Sequence, residues 1–278
     1  MKLLLNPKIN TTTIRWIMNS FNQETKVRIE QNSHNERLMS SAHAFLFLSI
    51  TSKYSYNFTW LSRPVIQYPE DIVAMQELIW QIKPDLIIET GIAHGGSLIL
   101  SASMLAMLDY CDAVDTGQSL NPKASRRRVL GLDIDIRTHN RAAIETHPLA
   151  HKIDMIQGSS IDSAIIAQVY EYAIRYDRIL VCLDSNHTHD HVLAELEAYT
   201  PLVTPGSYCV VFDTIIEDMP ASSFLDRPWD KGNNPKTAVW EFLKTHTEFE
   251  VDKTIEHKFL ITVAPGGYLK RIGYKKEQ

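Results

Sequence analysis

Five apolar runs rich in β-branched residues recur between positions 86 and 212, and each is separated from the next by a stretch long enough for a helix. Such runs are typical of parallel strands that helices cover on both faces of a sheet. The chain is therefore predicted to be a doubly wound α/β protein with a mostly parallel sheet. The predicted strands are Leu86–Glu89, Val129–Ile134, Ile153–Gln157, Ile179–Leu183 and Tyr208–Phe212, and the predicted helices between them are Gly95–Leu108, Thr138–His147, Asp162–Arg175 and Thr188–Tyr199.

This alternation ends near the C-terminus. Phe249–Ile255 and Phe259–Val263 are strand-like runs with only a short polar turn between them. Because that turn is too short for a crossover helix, the two runs are predicted to pair as a C-terminal antiparallel hairpin.

The first part of the chain, residues 1–67, lacks the strand-turn-helix alternation. It is predicted to be an N-terminal helical extension, a cap or an oligomerisation arm, with helices at Thr11–Phe21 and Glu36–Leu48. Aromatic residues are frequent from Tyr54 to Tyr68, and Pro69 with two acidic residues after it marks the start of a further helix. We therefore predict a second domain at residues 68–278 and expect a homo-oligomer.

Composition excludes some classes of partner. With 28 basic and 33 acidic residues, a formal charge of -5, the chain lacks the broad basic surface that nucleic acids require. No apolar run approaches the length of a membrane span. Three cysteines do not form an even disulfide set, and Cys182 and Cys209 lie inside apolar runs. We expect a cytoplasmic protein.

A glycine-rich turn follows the first predicted strand. It contains Glu89, Gly91, Gly95, Gly96 and Ser97. In an open parallel sheet, ligands bind beyond the carboxyl ends of the strands, and glycine lets the backbone approach a ligand closely. The turn is a candidate cofactor site, although a tight turn with no ligand also uses glycine.

The residues at the strand ends favour a nucleoside-sized ligand over a nicotinamide dinucleotide. A dinucleotide site requires G-x-G-x-x-G, and Ala93 stands where the second glycine would be, which argues against a nicotinamide cofactor. The second strand ends with Asp133 and Asp135, and a carboxylate there can accept both hydroxyls of a ribose. Ser159 and Ser160 follow the third strand. These residues fit a nucleoside-sized ligand, and the serines fit ordinary helix capping equally well.

Aspartates stand at the ends of the fourth and fifth predicted strands, Asp184 and Asp213. The carboxyl ends of adjacent parallel strands meet at one edge of the sheet. Two carboxylates there repel each other unless a cation lies between them, and an all-oxygen site suits Mg²⁺. The alternative for both residues is helix capping and solvation.

Four stretches, in this order, resemble the cephalosporin hydroxylase family: ETGIAHGGS, GLDIDIRTHN, LDSNHTHDHVLAEL and TPGSYCVVFDTIIEDMP. Despite its name, this family is similar to S-adenosylmethionine-dependent O-methyltransferases and includes rhamnosyl O-methyltransferases. The resemblance runs from Tyr54 to Val263. It implies a class I methyltransferase fold, with a seven-stranded Rossmann-like sheet and a terminal hairpin.

The resemblance also implies a cofactor site. S-adenosylmethionine would lie with its methionine end along the turn after the first strand, its ribose at the end of the second strand, and its adenine beside the third. The residues predicted to bind it are Glu89, Gly91, Ala93, Gly95, Ser97, Asp133, Ser159 and Asp184.

The metal site that the resemblance implies is incomplete in this chain. Related enzymes hold Mg²⁺ with acidic residues at the same two strand ends and use it to anchor two hydroxyls of the acceptor. Relatives place Glu-Asp at the end of the fifth strand, whereas this chain has Phe-Asp-Thr at 212–214. We predict Asp184, Asp213 and Thr214 as metal ligands, with Glu217 and Asp218 as alternatives to Thr214.

The loop after the fourth strand carries three histidines. His187, three residues after Asp184, is predicted to be the general base that deprotonates the acceptor, with Asp184 as a second catalytic residue. The alternative for His187 is a polar residue that caps the helix. His189 and His191 are two positions apart, point to different faces of a helix, and are predicted to be solvated. A zinc centre is therefore not expected, and an iron centre is not expected because the sequence shows no β-sandwich or barrel pattern to carry it.

Together these features predict a Mg²⁺-assisted, S-adenosylmethionine-dependent O-methyltransferase whose acceptor is a hydroxyl of a sugar, a glycan or a glycosylated small molecule. Two alternatives remain. One is a Rossmann-type NAD(P) oxidoreductase, and the other is a non-catalytic cofactor-binding protein that serves in an assembly.

Overall fold

The computed structural model describes the backbone of residues 11–273 and the side chains of residues 20–273. Both predicted domains extend beyond this range, and their residues 1–10 and 274–278 lie outside it. The strands are β1 (Phe58–Trp60), β2 (Arg63–Val65), β3 (Leu86–Thr90), β4 (Arg128–Asp133), β5 (Ile153–Gln157), β6 (Ile179–Leu183), β7 (Tyr208–Val211), β8 (Phe249–Val251) and β9 (Tyr268–Arg271). The helices are α1 (Thr11–Ser33), α2 (Glu36–Thr51), α3 (Pro69–Ile82), α4 (Gly96–Thr116), α5 (Thr138–Glu145), α6 (Ser163–Ala173), α7 (His189–Tyr199), α8 (Pro235–Phe242) and α9 (Lys253–Phe259).

A seven-stranded sheet with the order β5-β4-β3-β6-β7-β9-β8 forms the centre of the fold. The five strands from β5 to β7 are parallel, whereas β9 is antiparallel to both β7 and β8. The strand order reverses between β3 and β6, which is where open α/β sheets bind ligands. The doubly wound class, the seven strands and the terminal antiparallel pair are all confirmed.

Each central strand contributes to two apolar cores because its side chains alternate between the faces of the sheet. Ile87 packs into the core on one face with Leu98 and Leu105 of α4, whereas Leu86 and Ile88 pack into the core on the other face. All five side chains are fully buried. Each such side chain stabilises the fold by about 1.5–3 kcal/mol relative to an exposed position.

Among the described residues, helix α4 is long and apolar enough to cross a membrane, a property that it shares with core helices of globular proteins. Its Leu98, Ile99, Ala102 and Leu105 are fully buried against the sheet. We interpret α4 as a core helix.

The prediction that Phe259–Val263 is the second strand of the hairpin is wrong. The first strand is confirmed but ends at Val251, and α9 follows it. Asp252 begins this helix, because its side chain accepts a hydrogen bond from the backbone N–H of Thr254 at 3.1 Å. The antiparallel partner is β9, which lies beyond the glycines at 266 and 267.

A buried carboxylate accounts for the conformation of the segment before β9. Asp71 of α3 accepts hydrogen bonds from the hydroxyl of Thr262, from the backbone N–H of Val263 at 3.0 Å and from the hydroxyl of Tyr268 at 2.9 Å. Burial raises the pKa of Asp71 to about 6. Thr262 and Val263 therefore bind α3 instead of pairing with β8.

The N-terminal helices α1 and α2 extend further than predicted, to Ser33 and Thr51. The aromatic segment after them contains the antiparallel pair β1 and β2. This pair contacts α4, where the indole N–H of Trp60 donates to the hydroxyl of Ser103 at 3.0 Å. The segment before residue 68 therefore packs against the sheet domain beside the glycine-rich turn.

Candidate functional site

A cavity of about 440 Å³ opens beyond the ends of β3, β6 and β7. One side is the turn from Gly91 to Ser97, and another carries Asp184, His187 and Asp213. The N-terminal segment and the loop at 223–229 complete its wall. The parallel strands thus bring the predicted turn and the predicted metal-binding residues to one cavity.

The glycines of the turn make room for neighbouring backbone. A Cβ atom on Gly91 would lie 2.0 Å from the carbonyl oxygen of Asp184, and one on Gly96 would lie 2.1 Å from that of Pro64. A Cβ on Gly95 would lie 2.4 Å from the side chain of Ile144. Gly91 and Gly95 also have positive φ, at 89° and 81°. These glycines set how closely the turn approaches β6 and the β2 strand, and so fix the shape of the site.

Glu89 is buried at the end of β3, where its carboxyl group accepts a hydrogen bond from the hydroxyl of Ser97. Burial raises the pKa of Glu89 to about 8, the Ser97 hydrogen bond partly offsets this, and the charge of Asp184 adds to it. A buried carboxyl group with a raised pKa gains ionisation when a cationic group binds beside it.

Asp133 fastens the turn in this structure. Its carboxylate accepts from the backbone N–H groups of Ile92 at 2.8 Å, Ala93 at 3.3 Å and Asp135 at 3.0 Å. Ala93 has φ 46°, a left-handed conformation that costs about 1–3 kcal/mol outside glycine, and Asn140 holds it by donating to its carbonyl at 2.8 Å. A carboxylate has about four acceptor positions, so Asp133 retains capacity for a ribose hydroxyl.

Ser159 lies apart from the large cavity, and its carbonyl accepts a hydrogen bond from the N–H of Asp162. Asp162 caps α6 by accepting from the N–H of Ala164 at 2.8 Å. Ser160 is buried, and its hydroxyl is 3.1 Å from Nε2 of His191. Helix capping therefore involves Asp162, and a role of Ser159 in adenine binding stays a prediction.

Asp184, His187 and Asp213 form a compact group in which one ligand atom from each lies within 4.8 Å of the others. Nε2 of His187 is 3.2 Å from Oδ2 of Asp213 and 3.6 Å from Oδ1 of Asp184. Asp213 has φ 55°, an unusual conformation that clusters at functional sites. The parallel topology thus assembles the three side chains predicted to bind metal and perform catalysis.

The charged side chains in this group change the pKa values of their neighbours. Burial lowers the pKa of His187, but the carboxylates of Asp213 and Asp184 outweigh burial and raise it above its usual value. Burial and the charge of Asp213 raise the pKa of Asp184. Two carboxyl groups in such proximity favour a cation between them.

The residues fit a divalent cation by two independent observations. The two carboxylates supply oxygen ligands, which Mg²⁺ prefers. Oε1 of Gln67 is buried and has no hydrogen-bond partner among the described residues. Buried polar atoms are nearly always paired in native proteins, so this atom is suited to a bound group.

The three candidates for a third metal ligand have other partners. The hydroxyl of Thr214 donates to the carbonyl of Pro265 at 2.9 Å, and Thr214 is fully buried. Glu217 accepts from the amide of Asn234, and Asp218 pairs with Lys236 at 2.6 Å. The structure does not bring these three side chains together with Asp184.

The prediction that His189 and His191 are solvated is wrong. Both are partly buried at the packed surface of α7. Nδ1 of His189 is 2.9 Å from the hydroxyl of Thr237 on α8, and Nε2 of His191 is 3.5 Å from the fully buried Glu195. Helix α8 packs against α7 and covers His189, whereas His191 lies against Ser160 and Ser185.

Several residues that line the cavity were not predicted from the sequence to belong to the site. Gln67 donates to Asp184 at 3.3 Å, and the ring of Trp229 lies 4.7 Å from that of His187. The guanidinium of Arg227 lies 5.4 Å from the centre of the Trp229 ring. These residues lie in irregular segments that are far in sequence from the strand ends they approach. The aromatic residues in both segments were the one sequence feature that could have indicated a binding surface there.

Known proteins are similar to nearly the same part of the chain as the four stretches that carry the sequence resemblance. The chain is 28% identical over 215 residues to the rhamnosyl O-methyltransferase of Mycobacterium leprae (strain TN), covering 77% of this chain and 82% of that protein. It is 27% identical over 207 residues to the rhamnosyl O-methyltransferase of Mycobacterium tuberculosis (strain H37Rv), covering 72% and 73%. A solved structure described as "cmcI-D160 Mg-SAM" has the same fold, with a TM-score of 0.51 and 15% identity over 78% of each chain. The family description "Rhamnosyl O-methyltransferase/CmcI" matches residues 52–272, and the chain belongs to this family.

Proposed function

We propose that the protein is an S-adenosylmethionine-dependent, Mg²⁺-assisted O-methyltransferase that acts on a hydroxyl of a sugar or a glycosylated small molecule. The observation that carries the proposal is that Asp184, His187 and Asp213 face the same cavity as the glycine-rich turn. The names of the mycobacterial relatives support a sugar hydroxyl as acceptor. The Mg and SAM named for the CmcI structure agree with this pair of cofactors.

S-adenosylmethionine supplies an electrophilic methyl group, and Mg²⁺ lowers the pKa of a hydroxyl bound to it. Asp184 and Asp213 would hold the metal and thereby orient the acceptor. Nε2 of His187 would take the proton from the acceptor hydroxyl, while Asp213, 3.2 Å away, stabilises the imidazolium. A positioned base of this kind contributes about 10²–10⁴-fold to a rate.

The cofactor would lie along the turn, between Gly91 and Ser97, with its cationic methionine end near Glu89. Asp133 supports this orientation from the end of β4, because its carboxylate already shapes the turn and retains acceptor capacity. Asp184 borders the turn as well, since its backbone lies against Gly91. We assign the adenine to the neighbourhood of Ser159.

The acceptor would bind on the other side of His187. Trp229 offers a flat ring there, and such rings pack well against the faces of sugars. Tyr56 and Arg227 also line the cavity, and the guanidinium of Arg227 lies beside Trp229. A sugar stacked on Trp229 would present a hydroxyl towards Nε2 of His187.

The alternative function is a nicotinamide-dependent reaction, and a measurement of cofactor binding distinguishes it from methyl transfer. Calorimetric titration with S-adenosylmethionine, S-adenosylhomocysteine, NAD and NADP is expected to show binding of the first two alone, because Ala93 replaces the glycine that a dinucleotide site requires. Binding of NAD or NADP without the sulfonium compound would overturn the proposal. A non-catalytic assembly role differs in turnover, which the methyl-transfer assay measures.

Glu89 should make cofactor binding depend on pH. Its pKa is about 8 in the free protein, so at pH 7 it is mostly protonated, and a cationic ligand beside it favours the carboxylate. Binding should therefore release protons, and affinity should rise with pH by up to about tenfold per unit below pH 8. Calorimetry in two buffers of different ionisation enthalpy measures this release. The Glu89→Gln variant should lose that component, and an unchanged proton release in it would contradict the assignment.

We further propose that residues 1–67 form a cap on a methyltransferase domain at residues 68–278, and that the protein is a cytoplasmic homo-oligomer. Exposed apolar residues on the N-terminal helices, including Phe21 and Leu48, support an interface there. Cys182 and Cys209 are buried free thiols, which suits a reducing compartment. Analytical ultracentrifugation of the full chain tests the oligomeric part of this proposal.

A further inference from the structure

Gln67 reaches the metal-binding group from outside the sheet. It lies in the segment between β2 and α3 and is 7% exposed. Its Nε2 donates to Oδ2 of Asp184 at 3.3 Å, whereas its Oε1 is buried and has no partner among the residues that the structure describes. The NH₂ of this amide is therefore hydrogen-bonded to Asp184, and its oxygen is available to bind a ligand.

The backbone around Gln67 is firmly placed. The hydroxyl of its neighbour Tyr68, 1% exposed, is 2.7 Å from that of Ser49 in α2. On the other side, the carbonyl of Pro64 lies so close to Gly96 that a Cβ there would not fit. The side chain of Gln67 also borders both the large cavity and a small one of about 20 Å³. Its amide is thus held beside Asp184, at the border of both cavities.

The group needs another oxygen if it holds Mg²⁺. Two carboxylates and one imidazole are present, and Mg²⁺ prefers carboxylate, carbonyl and water oxygens to imidazole. If Nε2 of His187 accepts the proton of the acceptor hydroxyl, it does not bind the metal. Asp184 and Asp213 are then the two protein ligands of the ion. Phe212, which precedes Asp213, offers no oxygen from its side chain.

The amide of Gln67 is at a suitable distance. Ligand oxygens at neighbouring positions of an octahedral Mg²⁺ site lie about 2.9 Å apart, since each is about 2.0–2.1 Å from the ion. The amide end that faces Asp184 is already 3.3 Å from Oδ2. Turning the amide about its last torsion exchanges nitrogen for oxygen at this position, and that torsion is a soft, roughly two-fold one.

We propose that Oε1 of Gln67 is the third oxygen ligand of the metal. This inference rests on the proposed function and names a residue of the same site. Without the cation, the amide presents its NH₂ to Asp184 and pairs with the carboxylate. With the cation, it presents Oε1 instead. The N-terminal segment then belongs to the metal site as well as covering it.

Two substitutions separate ligation from simple support of Asp184. Gln67→Met keeps the length of the side chain and removes both polar atoms, so it should weaken Mn²⁺ binding by at least about 10–100-fold, because loss of an outer-shell group alone has that effect. Gln67→Glu keeps an oxygen and removes the NH₂. It should bind Mn²⁺ at least as tightly as the wild type if residue 67 is a ligand, because a carboxylate oxygen then reaches the ion. Weaker binding shows that residue 67 acts only as a donor to Asp184.

Mn²⁺ affinity is measured by electron paramagnetic resonance on the full chain, without acceptor, and Gln118→Met, at an exposed position just after α4, is the matched control. Thermal unfolding and S-adenosylmethionine affinity identify a variant that has lost its fold. Wild-type affinity in Gln67→Met, or weaker binding in Gln67→Glu, overturns the ligand assignment while the proposed function stands. A wild-type protein that binds no Mn²⁺ contradicts the metal site itself and, with it, this inference.

Discussion

Methyl transfer by this protein is expected to stop in EDTA and to return when Mg²⁺ is added in excess. The cation links Asp184 and Asp213, which otherwise face His187 as two mutually repelling carboxyl groups. Loss of a metal that polarises the acceptor removes several kcal/mol of stabilisation, so the rate should fall by more than about 10²-fold. S-adenosylmethionine affinity, measured by calorimetry in the same buffer, should remain nearly unchanged.

Variants identify the groups that hold the ion. Asp184→Asn and Asp213→Asn should each lose activity that added Mg²⁺ does not restore. Asp115→Asn, an exposed position on α4, is the matched control and should behave like the wild type. Full activity in the presence of chelator would show that acceptor binding does not depend on a metal.

Replacing His187 with alanine is expected to lower kcat by about 10²–10⁴-fold, with little change in cofactor affinity. The neutral imidazole is the base, so wild-type activity should fall as pH decreases through its pKa. The cation held by Asp184 and Asp213 offsets the charge with which these carboxylates raise the pKa of His187, so this acid limb should be centred near the usual imidazole value of about 6.5. The limb should be absent from the alanine variant, as a pH–rate profile measures.

His139→Ala is the matched control for this substitution, since His139 is exposed on α5. His189 and His191 are unsuitable as controls because they support the packing of α7, and their replacement should lower the melting temperature. An alanine variant at position 187 that keeps both its rate and its acid limb would assign proton removal to another group.

The sequence predicted the central sheet well because each parallel strand is one contiguous apolar run. It failed at Phe259–Val263, where composition favours a strand but long-range contacts decide the structure. Asp252 starts a helix seven residues earlier, and the buried Asp71 binds Thr262 and Val263. A helix N-cap residue such as Asp252 was visible, but a buried partner on α3 was not.

The candidate site was predictable to the extent that strand ends define it. Asp184, His187 and Asp213 come together because the carboxyl ends of β6 and β7 are neighbours in a parallel sheet. Gln67 was not predictable, because it is 117 residues from Asp184 in sequence and lies in an irregular segment. Periodicity carries no information on where such a segment packs, and the same applies to Trp229.

The central claim is tested most directly by incubating the protein with S-adenosylmethionine that carries a ¹³C-labelled methyl group, Mg²⁺ and a panel of rhamnosides and other glycosides. Nuclear magnetic resonance of the products is expected to show a labelled methyl ether on a sugar hydroxyl. Its formation should require Mg²⁺ and should be lost in Asp213→Asn. Stoichiometric binding of the cofactor with no labelled methyl group on any hydroxyl of the panel would contradict the account and favour a non-catalytic role.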